Sequence, residues 1–190
     1  MRPGVLLIAT ALLLGGVEAH AQDVTARLQA CAACHGAAGH APLANAPTLA
    51  GQPRVFLENQ LVMIREGLRD IPVMKGMLDG VSDADLIAMS THFAQQPIKP
   101  QPGPRDAALF ARGEQVANGN RCASCPLPGY AGREQMPRLA GQREDYLLHS
   151  MRQFQNNQAT GRDTIMAASL YGIADADVKA MAHYFAHLPP

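Results

Sequence analysis

Residues 31–36 read Cys31-Ala-Ala-Cys34-His35-Gly36, the most informative stretch of this sequence. Two cysteines three positions apart, followed at once by histidine and expected at the start of a helix, are typical of covalent attachment of a c-type haem. The two thiols can reach the two vinyl groups of one porphyrin, while the imidazole faces the iron from the same side. A zinc site would need a second pair of thiol or imidazole ligands, and a thioredoxin-like redox pair would need a βαβ setting. The motif therefore predicts a haem held by Cys31, Cys34 and His35.

The chain contains two copies of one pattern, whose cysteine pairs lie about ninety residues apart. The first copy contains, in order, Cys31-Ala-Ala-Cys34-His35, Pro47-Thr-Leu-Ala-Gly-Gln52, Met74, Ser82-Asp-Ala-Asp85 and a closing segment that ends near Gln96. The second contains Cys122-Ala-Ser-Cys125-Pro126, Pro137-Arg-Leu-Ala-Gly-Gln142, Met166, Ala174-Asp-Ala-Asp177 and a closing segment that ends at Leu188. Recurrence of these features in the same order indicates an internal duplication.

Four prolines and a glycine fall within residues 96–104, between the two copies. Proline is excluded from helix interiors and central strands, so this segment is predicted to be a stiff, extended linker. The predicted organisation is a signal peptide over residues 1–21, a first domain over 22–96, a linker over 97–105 and a second domain over 106–190.

The hydrophobic pattern within each copy is helical. Apolar residues return every three to four positions over residues 55–69, and a comparable stretch covers 146–155. Ser82 and Asp83 are expected to cap the closing helix of the first copy, as Asp175 and its neighbours are in the second. No run alternates as a strand would, so the predicted fold is all-α.

The N-terminus has the pattern of an export signal. Arg2 gives a basic start, residues 5–16 form an apolar run, and Ala19-His20-Ala21 fits a small-residue cleavage site. The run is shorter than the roughly 20 apolar residues of a membrane span, although an uncleaved anchor is the alternative. We expect cleavage near Ala21/Gln22 and a periplasmic mature protein without a membrane-spanning segment.

Charge and aromatic content narrow the classes of function. The chain has 16 basic and 16 acidic residues, so its formal net charge is zero. This balance argues against nucleic-acid binding, which needs a basic face. Aromatic residues make up 5% of the chain and tryptophan is absent, so each half would have a thin core for its size. We expect something other than side chains to fill part of the interior.

Methionine is the predicted ligand on the opposite face of the iron, because an electron carrier uses both faces and methionine with histidine raises the reduction potential. Met74 lies eight residues before Ser82, and Met166 lies eight before Ala174. Met77 has no methionine counterpart in the second copy, so the repeat favours Met74, with Met77 as the alternative. Another interpretation is that these methionines fill gaps in the core.

Pro47 and Pro137 occupy the same position of the repeated loop. A proline carbonyl can accept a hydrogen bond from the second nitrogen of a ligand histidine and so fix its ring; a simple turn is the alternative. The remaining histidines lack adjacent cysteines, and surface or packing roles are expected for His40, His92, His149, His183 and His187.

With these features the mature chain resembles the cytochrome c4 family, dihaem proteins with two tandem class I cytochrome c domains joined by a linker. The resemblance rests on the CxxCH motif, both Pro-x-Leu-Ala-Gly-Gln loops, residues 74–79 and the two closing segments. It implies two tandem cytochrome c-like domains, haem c as cofactor, and Met74 and Met166 as distal ligands. Family members are periplasmic, and their domains pack with the haem edges close together. A terminal oxidase or a quinol-oxidising complex is the redox partner this resemblance implies.

One residue departs from the family pattern, since Pro126 follows Cys125 where the family has histidine. Proline has no side-chain donor atom to bind iron, and its fixed φ disturbs a helix outside the first turn. Three accounts stay open at this stage. The second domain has lost its haem, with Cys122 and Cys125 free or disulfide-bonded; or it holds haem through the thiols and Met166; or Pro126 is a variant of a protein that normally has histidine there.

Three functions are compatible with these residues. The leading hypothesis is one-electron transfer at a haem bound on both faces by His35 and Met74, which predicts a carrier and not an enzyme. The second is an enzyme that oxidises small sulfur compounds or reduces peroxide at an open second haem. The third is a cytochrome subunit of a larger oxidoreductase complex.

Overall fold

The computed structural model describes residues 15–100, 103–120, 128–162 and 164–189. Within these ranges the α-helices are α1 (Gly15–His35), α2 (Arg54–Arg65), α3 (Asp83–Ala94), α4 (Ala107–Gly119), α5 (Glu144–Gln155), α6 (Thr164–Leu170) and α7 (Asp175–Ala186). The described ranges contain no strand beyond an isolated bridge between Arg133 and Met136, which confirms the predicted all-α class. Cys122, Cys125 and Pro126 lie outside the described residues, as do 1–14 of the predicted signal. No helix of the described part is long and apolar enough to cross a bilayer.

The first repeat consists of α1, α2 and α3. The strongly amphipathic α2 packs against α3, and α1 makes a smaller contact with α3. The buried cluster between them is small and entirely aliphatic or sulfur-containing, consisting of Leu78, Val81, Leu86 and Met89. Partly buried side chains from α1 and α2 complete it, among them Cys31.

The second repeat consists of α4 to α7, and its core is larger and richer in aromatic rings. α4 crosses α7 at Gly113, where an added Cβ would stand 2.1 Å from the carbonyl oxygen of Ala180. Glycine therefore sets the close approach of these two helices. In the buried cluster Tyr130 meets Tyr184 edge-on, and Phe185 contacts both rings at tilted angles.

The repeated Pro-x-Leu-Ala-Gly-Gln loop is attached to the closing helix in the same way in both domains. Gly51 N–H donates to the carbonyl of Phe93, and Gly141 N–H donates to the carbonyl of Phe185, each over 3.0 Å. The two glycines have φ values of 63° and 65°, a conformation that residues with a Cβ rarely adopt. The recurrence of glycine in this motif is thereby explained by backbone geometry.

The capping predictions have different outcomes in the two closing helices. Ser82 is confirmed as the N-cap of α3, where its hydroxyl and the Asp85 side chain form a capping box. The prediction for Asp175 is wrong, because Ala174 occupies the N-cap of α7 and provides no side-chain acceptor. Asp83 likewise begins its helix and does not cap it.

The segments that carry Met74 and Met166 fold differently. Met74 ends a short 3₁₀ turn over Pro72–Met74, after which Gly76 and Gly80 take positive φ. Met166 lies on α6, whose sequence contains neither glycine nor proline. Glycine and proline disfavour a continuous helix, so the difference follows from the local sequence.

Candidate functional site

The CxxCH motif lies at the C-terminal end of α1, not at the start of a helix as its sequence suggested. The helix stops at His35 because Gly36 takes φ +76°. A Cβ at Gly36 would stand 2.4 Å from the carbonyl oxygen of His40, so the sharp turn requires glycine. This turn leads the chain away from the helix and brings residues 47–50 back beside His35.

The imidazole of His35 is buried and held in one orientation. Its Nδ1 lies 2.9 Å from the carbonyl oxygen of Pro47, and since a carbonyl can only accept, Nδ1 carries the proton and donates. Burial lowers the pKa of His35, an effect that the bond to Pro47 partly opposes. The neutral ring then has its lone pair on Nε2, which is the form that a metal needs. The hydrogen bond predicted for Pro47 is confirmed.

Cys31 and Cys34 are free thiols one turn apart on the last part of α1. Cys31 is half-buried against the core cluster of the first domain, whereas Cys34 is exposed. Burial raises the pKa of Cys31, so this thiol is protonated at neutral pH. One thiol therefore faces the core of the first domain, and the other faces solvent.

A partly open cavity of about 290 Å³ lies between α1 and the segment that leads into α3. Its lining is formed by Ala26, Arg27, Ala30, Met77, Leu78, Val81 and Met89. Met77 borders it with 47% of its surface exposed, whereas Met74 sits half-buried in the 3₁₀ turn before it. Met166 packs against the core of the second domain.

The Pro47–Thr48 peptide group is bonded from both sides. On one side the Pro47 carbonyl accepts from His35. On the other, Thr48 N–H donates to Oε1 of Gln142 over 2.8 Å, and Gln142 Nε2 donates to the Thr48 carbonyl over 2.9 Å. Thr48 and Gln142 are both buried. A side chain of the second domain therefore holds the peptide that orients His35 in the first.

The reverse contact has the same form. Arg138 N–H donates to Oε1 of Gln52, and Gln52 Nε2 donates to the Arg138 carbonyl, both over 2.9 Å. Arg138 is the counterpart of Thr48 in the repeat, as Gln142 is of Gln52. The two domains are thus joined by two pairs of hydrogen bonds, each pair made by one glutamine side-chain amide. The two pairs are related by an approximate two-fold axis.

The guanidinium of Arg138 adds a contact that the first domain lacks at Thr48. It donates to the carbonyls of Ala50, Ala140 and Gly51, and the residue is 2% exposed. Burial lowers the pKa of Arg138 to about 10, so the group remains charged at neutral pH. Backbone carbonyls of both domains solvate this cation in place of water.

A second polar cluster joins α4, α5 and α7 within the second domain. Asp106 N–H donates to Nε2 of His183 over 3.0 Å, so the ring proton sits on Nδ1, 2.9 Å from Oε2 of Glu144. Nδ1 of His187 donates to the His183 carbonyl. Glu144, His183 and His187 lie close enough to hold a metal ion, but both nitrogens of His183 are already engaged. The cluster is therefore a structural link, in agreement with the packing role expected for His183.

The structure brings together Cys31, Cys34, His35 and the Pro47 carbonyl. Two thiols and a neutral imidazole with its second nitrogen engaged fit a c-type haem at the end of α1. Sequence reasoning missed Gln52, Gln142 and Arg138. The only available signal was that both copies of the loop end in glutamine, a residue with no local reason to recur there.

Comparison with known proteins gives relatives over almost the whole chain. Cytochrome c4 of Pseudomonas aeruginosa is 32% identical, over 94% of this chain and 96% of its own length. The thiosulfate dehydrogenase electron acceptor of Thiomonas intermedia is 34% identical, over 84% of this chain and 78% of its own. The crystal structure of reduced cytochrome c4 from Pseudomonas stutzeri superposes with a TM-score of 0.79 at 31% identity, covering 89% of this chain and 98% of that one. No protein-family model matches the chain.

Proposed function

The chain belongs to the cytochrome c4 family, and from that premise we propose that it is a periplasmic one-electron carrier with a haem c attached at the end of α1. The observation that carries this proposal is the buried His35 ring, whose Nδ1 is bonded to Pro47 beside two free thiols. The fold is that of two tandem c-type domains, so the first domain contains a complete attachment motif in its family setting.

Each residue has a distinct role in this proposal. Cys31 and Cys34 would hold the haem through thioether bonds, and His35 would bind the iron through Nε2, while the Pro47 carbonyl holds the imidazole ring. The bound haem would supply reversible exchange of one electron between ferric and ferrous iron. The protein's own part is to exclude water from the imidazole and to keep its proton on Nδ1.

The haem-to-polypeptide ratio of the exported protein tests this proposal. Intact mass counts the attached haems, and a denatured haemochrome spectrum shows how many vinyl groups are bonded. The double variant Cys31→Ala/Cys34→Ala is expected to lose the haem of the first domain. Its matched control is Cys122→Ala/Cys125→Ala, expected to leave that haem in place. A wild-type protein without covalent haem would refute the assignment.

The second domain is proposed to carry no haem, because Pro126 offers no atom that binds iron in place of imidazole. Cys122 and Cys125 are then free or joined by a disulfide, and Met166 serves the apolar core against which it packs. A ratio of one haem per chain is expected. A ratio of two would overturn this part and leave the first domain's assignment untouched.

Met74 is the proposed distal ligand of the first domain, by its equivalence to Met166 in the repeat. Met77, which borders the cavity, is the rival. Met74→Ala is expected to abolish the methionine–iron band of the oxidised protein, and Met77→Ala to retain it. The opposite pattern would transfer the assignment to Met77.

The proposed electron donor is an enzyme of the thiosulfate dehydrogenase type, since a relative at 34% identity is named as the electron acceptor of such an enzyme. A terminal oxidase or a quinol-oxidising complex is the partner that the family resemblance implies. Stopped-flow reduction of the ferric protein by thiosulfate and the dehydrogenase measures electron transfer from this donor directly. Reduction only by a quinol-oxidising complex would reject the thiosulfate connection.

An enzymatic role at an open second haem is the competing proposal. It requires haem in the second domain with one iron face free for a small sulfur compound or peroxide. Carbon monoxide would then bind the ferrous protein and change its spectrum. No such change is expected of a carrier, in which His35 and Met74 would bind the two faces of the iron.

A further inference from the structure

The Pro47–Thr48 peptide is one planar group that makes a hydrogen bond at each end. Its carbonyl accepts from Nδ1 of His35 over 2.9 Å, and its N–H donates to Oε1 of Gln142 over 2.8 Å. Carbonyl and N–H of one amide are conjugated, so electron density withdrawn or released at one end is felt at the other. The bonds form a continuous chain from the imidazole of the first domain to an amide of the second.

Hydrogen bonds in such a chain polarise one another, more so where water is excluded. Gln142 is 3% exposed and Thr48 is 2% exposed. Donation by Thr48 N–H to Gln142 makes the Pro47 carbonyl a stronger acceptor, which in turn makes the His35 ring more electron-rich. A ligand imidazole that donates to a better acceptor is a more basic ligand and stabilises ferric over ferrous iron.

The orientation of the Gln142 amide is fixed by its partners. Thr48 N–H can only donate and the Thr48 carbonyl can only accept, so Oε1 faces the first and Nε2 the second. Removal of the Gln142 amide takes away both the acceptor of Thr48 N–H and the donor to the Thr48 carbonyl.

The equivalent series of hydrogen bonds in the other direction starts from Gln52 and reaches the Pro137–Arg138 peptide. The histidine that would continue it is absent, because the counterpart of His35 is Pro126. The same pair of bonds thus reaches a ligand imidazole in one direction only. This asymmetry makes Gln52 an internal control for Gln142.

On the basis of the proposed haem at His35, we propose that Gln142 is a positioning residue by which the second domain lowers the reduction potential of the first, acting through the Pro47–Thr48 peptide. Gln142 acts on the His35 ring from a distance and touches no reacting atom. The role needs no haem in the second domain, only its folded loop.

The test compares Gln142→Met with Gln52→Met in the full-length haem-loaded protein. Methionine keeps the approximate size of glutamine and removes the two hydrogen bonds to Thr48, together with the one that Oε1 of Gln142 accepts from Arg143 N–H. Intact mass first establishes that each variant carries the haem of the first domain, and a spectroelectrochemical titration then gives its midpoint potential. In Gln142→Met the ratio of reduced to oxidised protein at a fixed applied potential is expected to rise about threefold, equivalent to about 28 mV at 59 mV per tenfold for one electron.

In Gln52→Met that ratio is expected to stay within about 1.3-fold of wild type, because its peptide leads to no imidazole. The ring proton of His35 gives a second readout by NMR in the reduced state, with an upfield shift expected in Gln142→Met alone. Equal shifts of potential in both variants would overturn the inference, since they would reflect only loosened contact between the domains. An unchanged potential in haem-loaded Gln142→Met would overturn it as well.

If Gln142→Met does not accumulate as a folded protein, Gln142→Glu replaces it. Glutamate keeps an oxygen acceptor for Thr48 N–H whether or not it is protonated, so the potential is expected at or below that of wild type. A rise would contradict the inference. Absence of haem from the wild-type protein would instead refute the proposed function, so the two failures are distinguishable.

Discussion

The two domains share their motif order, but their first helices meet different surroundings. α4 lies so close to α7 that a Cβ on Gly113 would stand 2.1 Å from the Ala180 carbonyl oxygen. α1 instead borders a cavity of about 290 Å³ between itself and the approach to α3. The second domain fills its centre with Tyr130, Tyr184 and Phe185, whereas the cluster of the first contains no aromatic ring.

The difference shows two ways in which a small domain can complete its core. A protein core of this size is marginal unless large side chains or a prosthetic group contribute buried surface. The second domain buries Tyr130, Tyr184 and Phe185, whereas the first buries Phe93 and carries the two thiols and the imidazole of the attachment motif. The contrast matches the sequence, which retains His35 in the first motif and has Pro126 in the second.

The largest expected effect is on cofactor content, from Pro126→His. This change restores the missing ligand in the second motif and supplies the imidazole that the Pro137 carbonyl can accept from. The haem-to-polypeptide ratio is expected to rise from one to two, measured by intact mass and haemochrome spectrum. A ratio that stays at one would mean that the second domain excludes haem by its packing and not by its ligand.

A smaller effect, on stability, is expected from Arg138→Met. The carbonyls of Ala50, Ala140 and Gly51 lose their donor, at about 1–3 kcal/mol for each buried group left unpaired. Release of the buried charge offsets part of this, so the free energy of unfolding is expected to fall by about 2–4 kcal/mol.

Denaturant unfolding of the full chain measures this, with Thr48→Val as the control at the equivalent position. Thr48 contributes its backbone to the contact with Gln142, so a change below about 1 kcal/mol is expected there. Equal losses in the two variants would contradict the asymmetry between the domains.

His183→Ala tests the link between Asp106, Glu144 and His183 in the second domain. Asp106 N–H and Glu144 each lose a partner, and unfolding of the second domain is expected to become easier by about 1–3 kcal/mol. The counterpart in the first domain is Thr91, whose hydroxyl bonds only locally to the Ile87 carbonyl.

Thr91→Ala is therefore expected to cost less than about 1 kcal/mol. Hydrogen exchange of the α4 amides localises the effect of the His183 variant. Protection of α4 that matches wild type would show that Asp106 does not depend on His183.

The smallest effect is expected at the closing helices, where the domains differ by one cap. Ala174→Ser introduces the hydroxyl that α7 lacks, and Asp177 then stands where Asp85 completes the capping box of α3. A gain of about 0.5–1 kcal/mol is expected, against a loss of about 1 kcal/mol for Ser82→Ala. Thermal unfolding monitored by circular dichroism measures both, and a loss in Ala174→Ser would show that the backbone at α7 does not accept a capping side chain.

Features that depend on local pattern could be predicted from the sequence. Helical periodicity and the repeated motifs predict an all-α chain whose closing helices are observed over Asp83–Ala94 and Asp175–Ala186. The bond from His35 to Pro47 is one of two interpretations of the repeated proline, because a ligand histidine donates through its second nitrogen to an acceptor.

Features that depend on contact between the repeats could not be predicted. Gln52 and Gln142 each bond to backbone about ninety residues away along the chain, and nothing nearby in sequence indicates such a partner. The prediction of the N-cap of α7 fails for a local reason. Acidic residues are typical both of the N-cap position and of the first helical turn, so the pattern does not distinguish the two. The choice between a 3₁₀ turn at Met74 and a helix at Met166 depends on glycine spacing that helical periodicity ignores.

The four hydrogen bonds that Gln52 and Gln142 make between the loops resemble a contact between two copies of one molecule. In a homodimer, each subunit offers the same donor and acceptor to the other, as Gln52 and Gln142 do here. Every substitution in such a dimer appears twice, whereas a tandem chain lets each copy change alone. Proline at position 126 therefore alters one repeat, while Gln142 of that same repeat still faces Thr48. Under the role proposed for Gln142, the redox chemistry of the first copy depends on the loop of the second.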